Sequence, residues 1–98
     1  MIVRHRDEDV GCLLLADHPA DGQFEMIYQG VVPAARGNGW GMEITRHAQW
    51  LTGQTGRERL VLAVDANNRP ALNIYRAAGF RQWDRRFLFL KFLAEKPQ

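Results

Sequence analysis

Between residues 32 and 41 the hydrophobic pattern of this chain changes period. Upstream, over Phe24 to Val32, Phe24, Met26 and Tyr28 alternate with Glu25 and Gln29, which is the two-residue period of a strand. Downstream, Trp40, Ile44, Ala48 and Leu51 recur at helical intervals and predict a helix over about Gly39 to Thr52, ended by Gly53 and Gly56. The junction is Pro33-Ala34-Ala35-Arg36-Gly37-Asn38-Gly39-Trp40-Gly41. A strand that passes through a glycine-rich turn into a helix commits the chain to layered helix-on-sheet packing. It also leaves the first amides of that helix, which have no intrahelical partner, at the end of the strand.

The flanking segments extend this reading. Ile2 to His5 and the apolar run Val10 to Ala16 read as strands, with charged Arg6-Asp7-Glu8-Asp9 as the turn between them. Asp17 to Gly22 is rich in turn residues. Leu60-Val61-Leu62-Ala63-Val64 is apolar throughout, as expected of a strand buried on both faces. Asn67-Asn68 before Pro70 signals a helix start, Ala71, Ile74, Tyr75 and Ala78 form one face of that helix, and Gly79 stops it. Two strands follow, about Phe80 to Trp83 and Phe87 to Leu93, around Asp84-Arg85-Arg86. The expected class is α+β: a mixed sheet, an antiparallel meander then a βαβ crossover, with two main helices in the order β-β-β-α-β-α-β-β.

At 98 residues the chain is one small domain, and a domain this size buries only roughly 60–65% of the surface its unfolded chain exposes. With 46% hydrophobic residues it has the composition of a globular protein. A net charge of +2, with both signs scattered, suits a small polyanion but is weak evidence for nucleic acid, and no nucleic-acid partner is expected. No apolar run approaches the ~20 residues of a membrane span, and residues 1–6 do not read as a signal peptide. Cys12 is the single cysteine and lies among apolar neighbours, which suits a packed thiol in a reduced, cytoplasmic setting. No His, Asp, Glu or Cys grouping has metal-ligand spacing.

The glycine loop is the first candidate for chemistry. Gly37, Gly39 and Gly41 let a phosphate approach the backbone closely, the helix dipole favours an anion there, and Arg36 adds a cation at the rim. Met42 stands where the dinucleotide fingerprint needs a third glycine, and the Gly-Lys-Ser/Thr of a P-loop is absent. Taken alone, the loop is equally consistent with a tight turn that binds nothing.

Two separated motifs together resemble the GNAT N-acetyltransferase superfamily. The first is Val31-Val32-Pro33 through Arg36-Gly37-Asn38-Gly39-Trp40-Gly41, similar to that family's pyrophosphate loop. The second is Val64, Asn68, Ala71, Tyr75, Gly79 and Phe80, similar to its Val-x3-Asn-x2-Ala-x3-Tyr-x3-Gly-Phe pattern. The resemblance covers roughly Val10 to Leu93. It implies acetyl-CoA as cofactor, with Arg36 to Gly41 on its pyrophosphate. Two strands splay to admit the pantetheine arm, and backbone groups near Gly30, Val31 and Val32 pair with it, Gly30 lying at a strand bulge.

The resemblance also implies that Asn68 contacts the cofactor, although a plain helix cap fits that residue as well. Tyr75 becomes the catalytic acid that gives a proton to the departing thiolate; the alternative is a tyrosine serving only the core. The implied reaction is acetyl transfer to a primary amine, on a small molecule or a peptide, by direct attack. Glu25 lies on the strand that supplies a base in some members, but its alternation suits a solvated carboxylate. His47 reads as a surface imidazole, and His5 and His18 as exposed. Asp84-Arg85-Arg86 reads as a solvated turn, with contact to an acidic substrate as the other possibility.

The family's first strand and two helices, which wall the acceptor side, have no counterpart here. A single truncated acetyl-CoA-binding domain over residues 1–98 is the expectation, and its uncovered sheet suggests a homodimer or an N-terminal companion region. A non-catalytic acetyl-CoA-binding module, or a fragment of a larger protein of this family, is the competing function.

Overall fold

The computed structural model describes residues 1–84 and 88–92, with side chains through residue 82. The elements are β1 (Ile2–His5), β2 (Glu8–His18), β3 (Gln23–Val31), α1 (Trp40–Gln54), β4 (Arg59–Ala63), α2 (Arg69–Ala77), β5 (Arg81–Asp84) and β6 (Leu88–Phe92). They occur in the expected order and form one mixed sheet, β1-β2-β3-β4-β6-β5. Strands β1 to β3 are an antiparallel meander. Strand β4 runs parallel to β3 after the α1 crossover, and β6 returns antiparallel beside it.

Local chemistry explains the boundaries. Arg6 and Asp7 both take positive φ, 51° and 67°, which gives a tight two-residue turn between β1 and β2. Asn68 caps α2 by accepting from Ala71 N at 3.2 Å, and Pro70 sits in the first turn, where its missing N–H is not needed. Helix α1 does not stop at Gly53 as expected. It runs through that glycine to Gln54, and the chain leaves it at Gly56, whose φ is +76°.

Both helices cover the same face of the sheet. Leu13 and Met26 from the meander, Ile44 and Ala48 from α1, Leu60 and Leu62 from β4, and Leu72 and Tyr75 from α2 form one core with Ala78 and Phe80. Two threonines lie inside α1 at essentially zero exposure, and each hydroxyl bonds a carbonyl one turn back: Thr45 to Gly41 O at 2.8 Å and Thr52 to Ala48 O at 2.7 Å. Helix α1 meets α2 at Gly41, where a Cβ would stand 2.8 Å from Ile74 Cδ1.

On the opposite face, strand register aligns Ile2 with Cys12 and Leu14 with Tyr28. No helix among the described residues lies over this face. Ile2, Leu14 and Tyr28 remain 60%, 53% and 56% exposed, and Cys12 is only half-buried.

One irregularity corrects two expectations. Leu14 pairs with Tyr28 and Leu15 with Met26, so Ile27 is the extra residue of a bulge in β3. The bulge is three residues before Gly30, which pairs regularly with Cys12. An extra residue also inverts the alternation that follows it. Tyr28, expected inward, therefore faces out, and Gln29, expected outward, faces the helices. The bare Gly30 makes room for the Tyr28 ring, whose hydroxyl a Cβ there would strike.

Candidate active site

Strands β3 and β4 pair from Gln23–Arg59 to Met26–Leu62 and no further. The bulge follows at once, and a bulge bends the strand that carries it. Beyond it the two strands part around a cleft of about 210 Å³, lined by Met26, Gln29, Leu62, Val64, Asn68 and Tyr75 among others.

Not every backbone group near this split is free. Val32 N donates to Val10 O at 2.9 Å, and Val32 O accepts from Ala35 N at 2.9 Å, so both of its backbone groups serve the fold. By the alternation of an antiparallel ladder, Gly30 then directs its groups to Cys12. A Cβ on Gly11 of β2 would run into the Gly30 carbonyl oxygen, which agrees with that direction. Val31 is left with its backbone turned to the open side, where Arg36 Nε donates to its carbonyl at 3.4 Å. Of the three residues expected to pair with the pantetheine arm, Val31 alone presents its backbone to the split.

The loop at the head of α1 is held from within. Asn38 Nδ2 donates to Ala35 O at 3.1 Å and to Arg36 O at 3.4 Å, which makes Asn38 a brace for the turn. Gly37 and Gly39 have φ of +83° and +80°, and nothing lies within 4 Å of where their side chains would be. Any other residue there would meet roughly 1–2 kcal/mol of backbone strain. Gly39 is the N-cap of α1 and has no side chain to cap it. The first bond within the helix is Glu43 N to Gly39 O at 3.2 Å, so the amides of Trp40, Gly41 and Met42 precede the ladder. Open space, left-handed glycines and an uncapped helix end fit a phosphate. The missing side chain of Gly41 serves packing against Ile74 instead, and the Trp40 ring lies against His5 at 4.9 Å.

A chain of hydrogen bonds joins this loop to Tyr75. Thr45 Oγ1 donates to Gly41 O at 2.8 Å; Gln29 Nε2 donates to Thr45 Oγ1 at 2.9 Å and to the Tyr75 hydroxyl at 3.2 Å. Tyr75 is 7% exposed, and its ring meets Phe80 edge-on at 5.6 Å. Burial pushes the phenol's pKa above its ordinary value, and the Gln29 N–H opposes that rise. The phenol is therefore protonated at neutral pH and able to donate. Asn68 combines its capping bond with a place at the cleft's rim.

Gln29, which bonds Tyr75, and Thr45, which bonds Gln29, carry no motif in the sequence. The available signal was a polar residue on β3 two positions from Val31, but the unseen bulge placed it on the wrong face. The other titratable candidates stay outside the cleft. Glu25 pairs with His18 at 3.0 Å, with both side chains about 40% exposed, and exposed His47 stacks on Trp50 at 5.7 Å. Arg85 and Arg86 lie outside the described residues. A larger cavity of about 610 Å³ sits between the β1–β2 turn and Trp40; His5, Arg6, Glu8 and Asp9 line it, and neither Tyr75 nor Gln29 does. Among the described residues no three His, Cys, Asp or Glu come together as metal ligands, and no helix is long and apolar enough to cross a membrane.

Comparison with known proteins agrees with the fold and the motifs. The family profile described as acetyltransferase (GNAT) domain matches residues 1–82. The mycothiol acetyltransferase of Pseudarthrobacter chlorophenolicus is 37% identical over 67 residues, covering 68% of this chain and 20% of that protein. That of an Arthrobacter species is 39% identical over the same length and shares. The chain thus spans about a fifth of the length of these relatives. Among solved structures, the ribosomal-protein-S18-alanine N-acetyltransferase of Escherichia coli superposes with a TM-score of 0.85 at 16% identity, covering 97% of this chain and 68% of that one. The spermidine/spermine N-acetyltransferase of Vibrio cholerae gives 0.82 at 15% identity, covering 95% and 65%. With the profile spanning most of its length and a parted sheet of the matching fold, the chain belongs to the GNAT family of acetyltransferases.

Proposed function

We propose that this chain binds acetyl-CoA and transfers its acetyl group to a primary amine by direct attack. The observation that carries the reading is the buried Tyr75 phenol at the split between β3 and β4, tied by hydrogen bonds to the glycine loop. Acetyl-CoA, when bound, supplies an acyl carbon activated by a thiol leaving group. The amides of the first turn of α1 and the Arg36 guanidinium hold the pyrophosphate, and each charge-assisted bond contributes roughly 1.5–3 kcal/mol. Val31 offers its backbone to the pantetheine arm. Tyr75 holds a proton for the sulfur as the C–S bond breaks, while the amine forms the new C–N bond and releases its own proton to water. The acceptors named for the structural neighbours, a protein alanine and spermidine or spermine, suit an amine acceptor of either peptide or small-molecule kind.

A second reading has its own observation. The exposed apolar face of Ile2, Leu14 and Tyr28, in a chain whose match covers only 20% of its relatives' length, favours a cofactor-binding half that works with a second copy or a companion region. An amide-shift titration with acetyl-CoA, followed by thiol release over an amine panel, separates the two. Shifts at residues 37–42 with thiol release support the enzyme. Shifts without release on any amine select the binding module, and no shifts at saturating acetyl-CoA overturn both.

A further inference from the structure

Gln29 is the side chain through which the glycine loop reaches Tyr75. Its amide orientation is fixed by its neighbours. The Thr45 hydroxyl has one proton and gives it to Gly41 O at 2.8 Å, so toward Gln29 it can only accept. The 2.9 Å contact therefore belongs to Nε2, and the second hydrogen of that nitrogen goes to the Tyr75 oxygen at 3.2 Å.

We infer that Gln29 is a positioning residue: its N–H, given to the Tyr75 oxygen, turns the phenol's own proton away from the core amide and toward the split between β3 and β4. The inference rests on Tyr75 acting as the proton donor. Among the described residues, the one partner the phenol has apart from Gln29 is Met26 Sδ at 4.0 Å, a weak acceptor, so its proton is available to an incoming sulfur. When the thiol departs, the Tyr75 O–H bond breaks and an S–H bond forms. The phenolate oxygen keeps the electron pair and the Gln29 N–H, now as a charge-assisted bond, until water returns a proton. Gln29 Oε1 is buried and has no hydrogen-bond partner among the described residues. An apolar side chain of the same length would fill the space without that penalty, which marks the donor end of the amide as the part in use.

The test compares Gln29→Glu, Gln29→Leu and Tyr75→Phe in the full chain. The Glu variant is almost isosteric, but its carboxylate accepts from the phenol and draws the proton out of the split. Its expected kcat at neutral pH is lower by about tenfold or more, with KM for acetyl-CoA little changed and with recovery as acid restores a proton to the introduced carboxyl. Gln29→Leu is expected to lower kcat without any such recovery. A residue needed only for packing would show one loss at every pH.

The second readout needs no turnover. In a Tyr28→Phe background Tyr75 is the single tyrosine, and its ultraviolet titration should move to higher pH in both Gln29 variants. An unmoved titration, or a Gln29→Glu pH profile parallel to that of the parent, overturns the inference. If Tyr75→Phe is slow while Gln29→Glu behaves as the parent does, the inference fails alone. If Tyr75→Phe turns over normally, the proton-donor reading has failed first and takes the inference with it.

Discussion

The two ends of the candidate site are made of different material. At the head of α1 the groups that would meet an anion are backbone amides, shaped by Gly37 and Gly39 at positive φ and braced by Asn38 through carbonyls of its own loop. At Tyr75 the candidate groups are side chains, and their geometry depends on a glutamine from β3 and a threonine from α1 that are 16 residues apart in sequence. A backbone cradle tolerates many side chains but few φ angles. A side-chain network tolerates ordinary backbone but demands correct register. The two ends should therefore fail under different substitutions and in different observables.

Gly39→Val gives the largest expected effect. The φ of +80° excludes a β-branched residue, so the turn must rearrange and the amides ahead of Glu43 lose their alignment. Loss of even one charge-assisted bond lowers acetyl-CoA affinity by about tenfold or more, as calorimetric titration would read it. Titration of Tyr75 should be unaltered. An affinity close to that of the parent would mean that the loop is a turn and not a cradle.

The same contrast decides what the sequence made legible. Glycine spacing, the change of period at Pro33 and the Asn68-to-Tyr75 spacing are local, so the loop, the two helices and the element order could all be read directly. Gln29 could not. Its facing depends on the extra residue at Ile27, and nothing in Met26-Ile27-Tyr28 signals a bulge: there is no glycine, and every residue suits a regular strand. One unmarked insertion inverted the pattern over Tyr28 and Gln29, which hid the residue beside the phenol. The division of labour among Gly30, Val31 and Val32 was hidden for a related reason, since strand type is local but ladder phase is set by the partner strand.

Asn68→Ala separates cap from contact. Loss of the bond to Ala71 N should lower stability by about 1 kcal/mol, or about 4–8 °C in Tm for a domain of this size. If Asn68 also touches the cofactor, acetyl-CoA affinity falls beyond what the stability loss explains; affinity equal to the parent's assigns it to the cap alone. Tyr75 supplies a pH signature of similar or smaller size. Its folded pKa lies above the unfolded value near 10, so its contribution to stability is complete below about pH 10 and is lost as pH rises through the folded value. Denaturant melts should show an alkaline decline that Tyr75→Phe removes. A decline equal in both would show that the phenol is not buried as described.

The smallest effect is expected where β3 and β4 stay closed. At that end Arg57 gives both Nε and Nη2 to the Asp17 carboxylate, at 2.7 and 2.8 Å, and Arg59 Nε donates to Gln23 Oε1 at 2.7 Å. The Arg57 hydrogen bonds hold the Asp17 carboxyl below its usual range. A depressed folded pKa means that the contribution is present above the unfolded value near 3.8 and disappears as pH falls through the folded one. Asp17→Asn should therefore remove a small acid-side decline in stability, most visible at low salt because the pair is exposed. The split lies at the other end of the β3–β4 ladder, beyond Met26 and Leu62, so acetyl-CoA affinity and turnover should not move. A loss of affinity comparable to that of Gly39→Val would show that the closed end sets how far the strands part, and that cradle and phenol depend on one shared hinge.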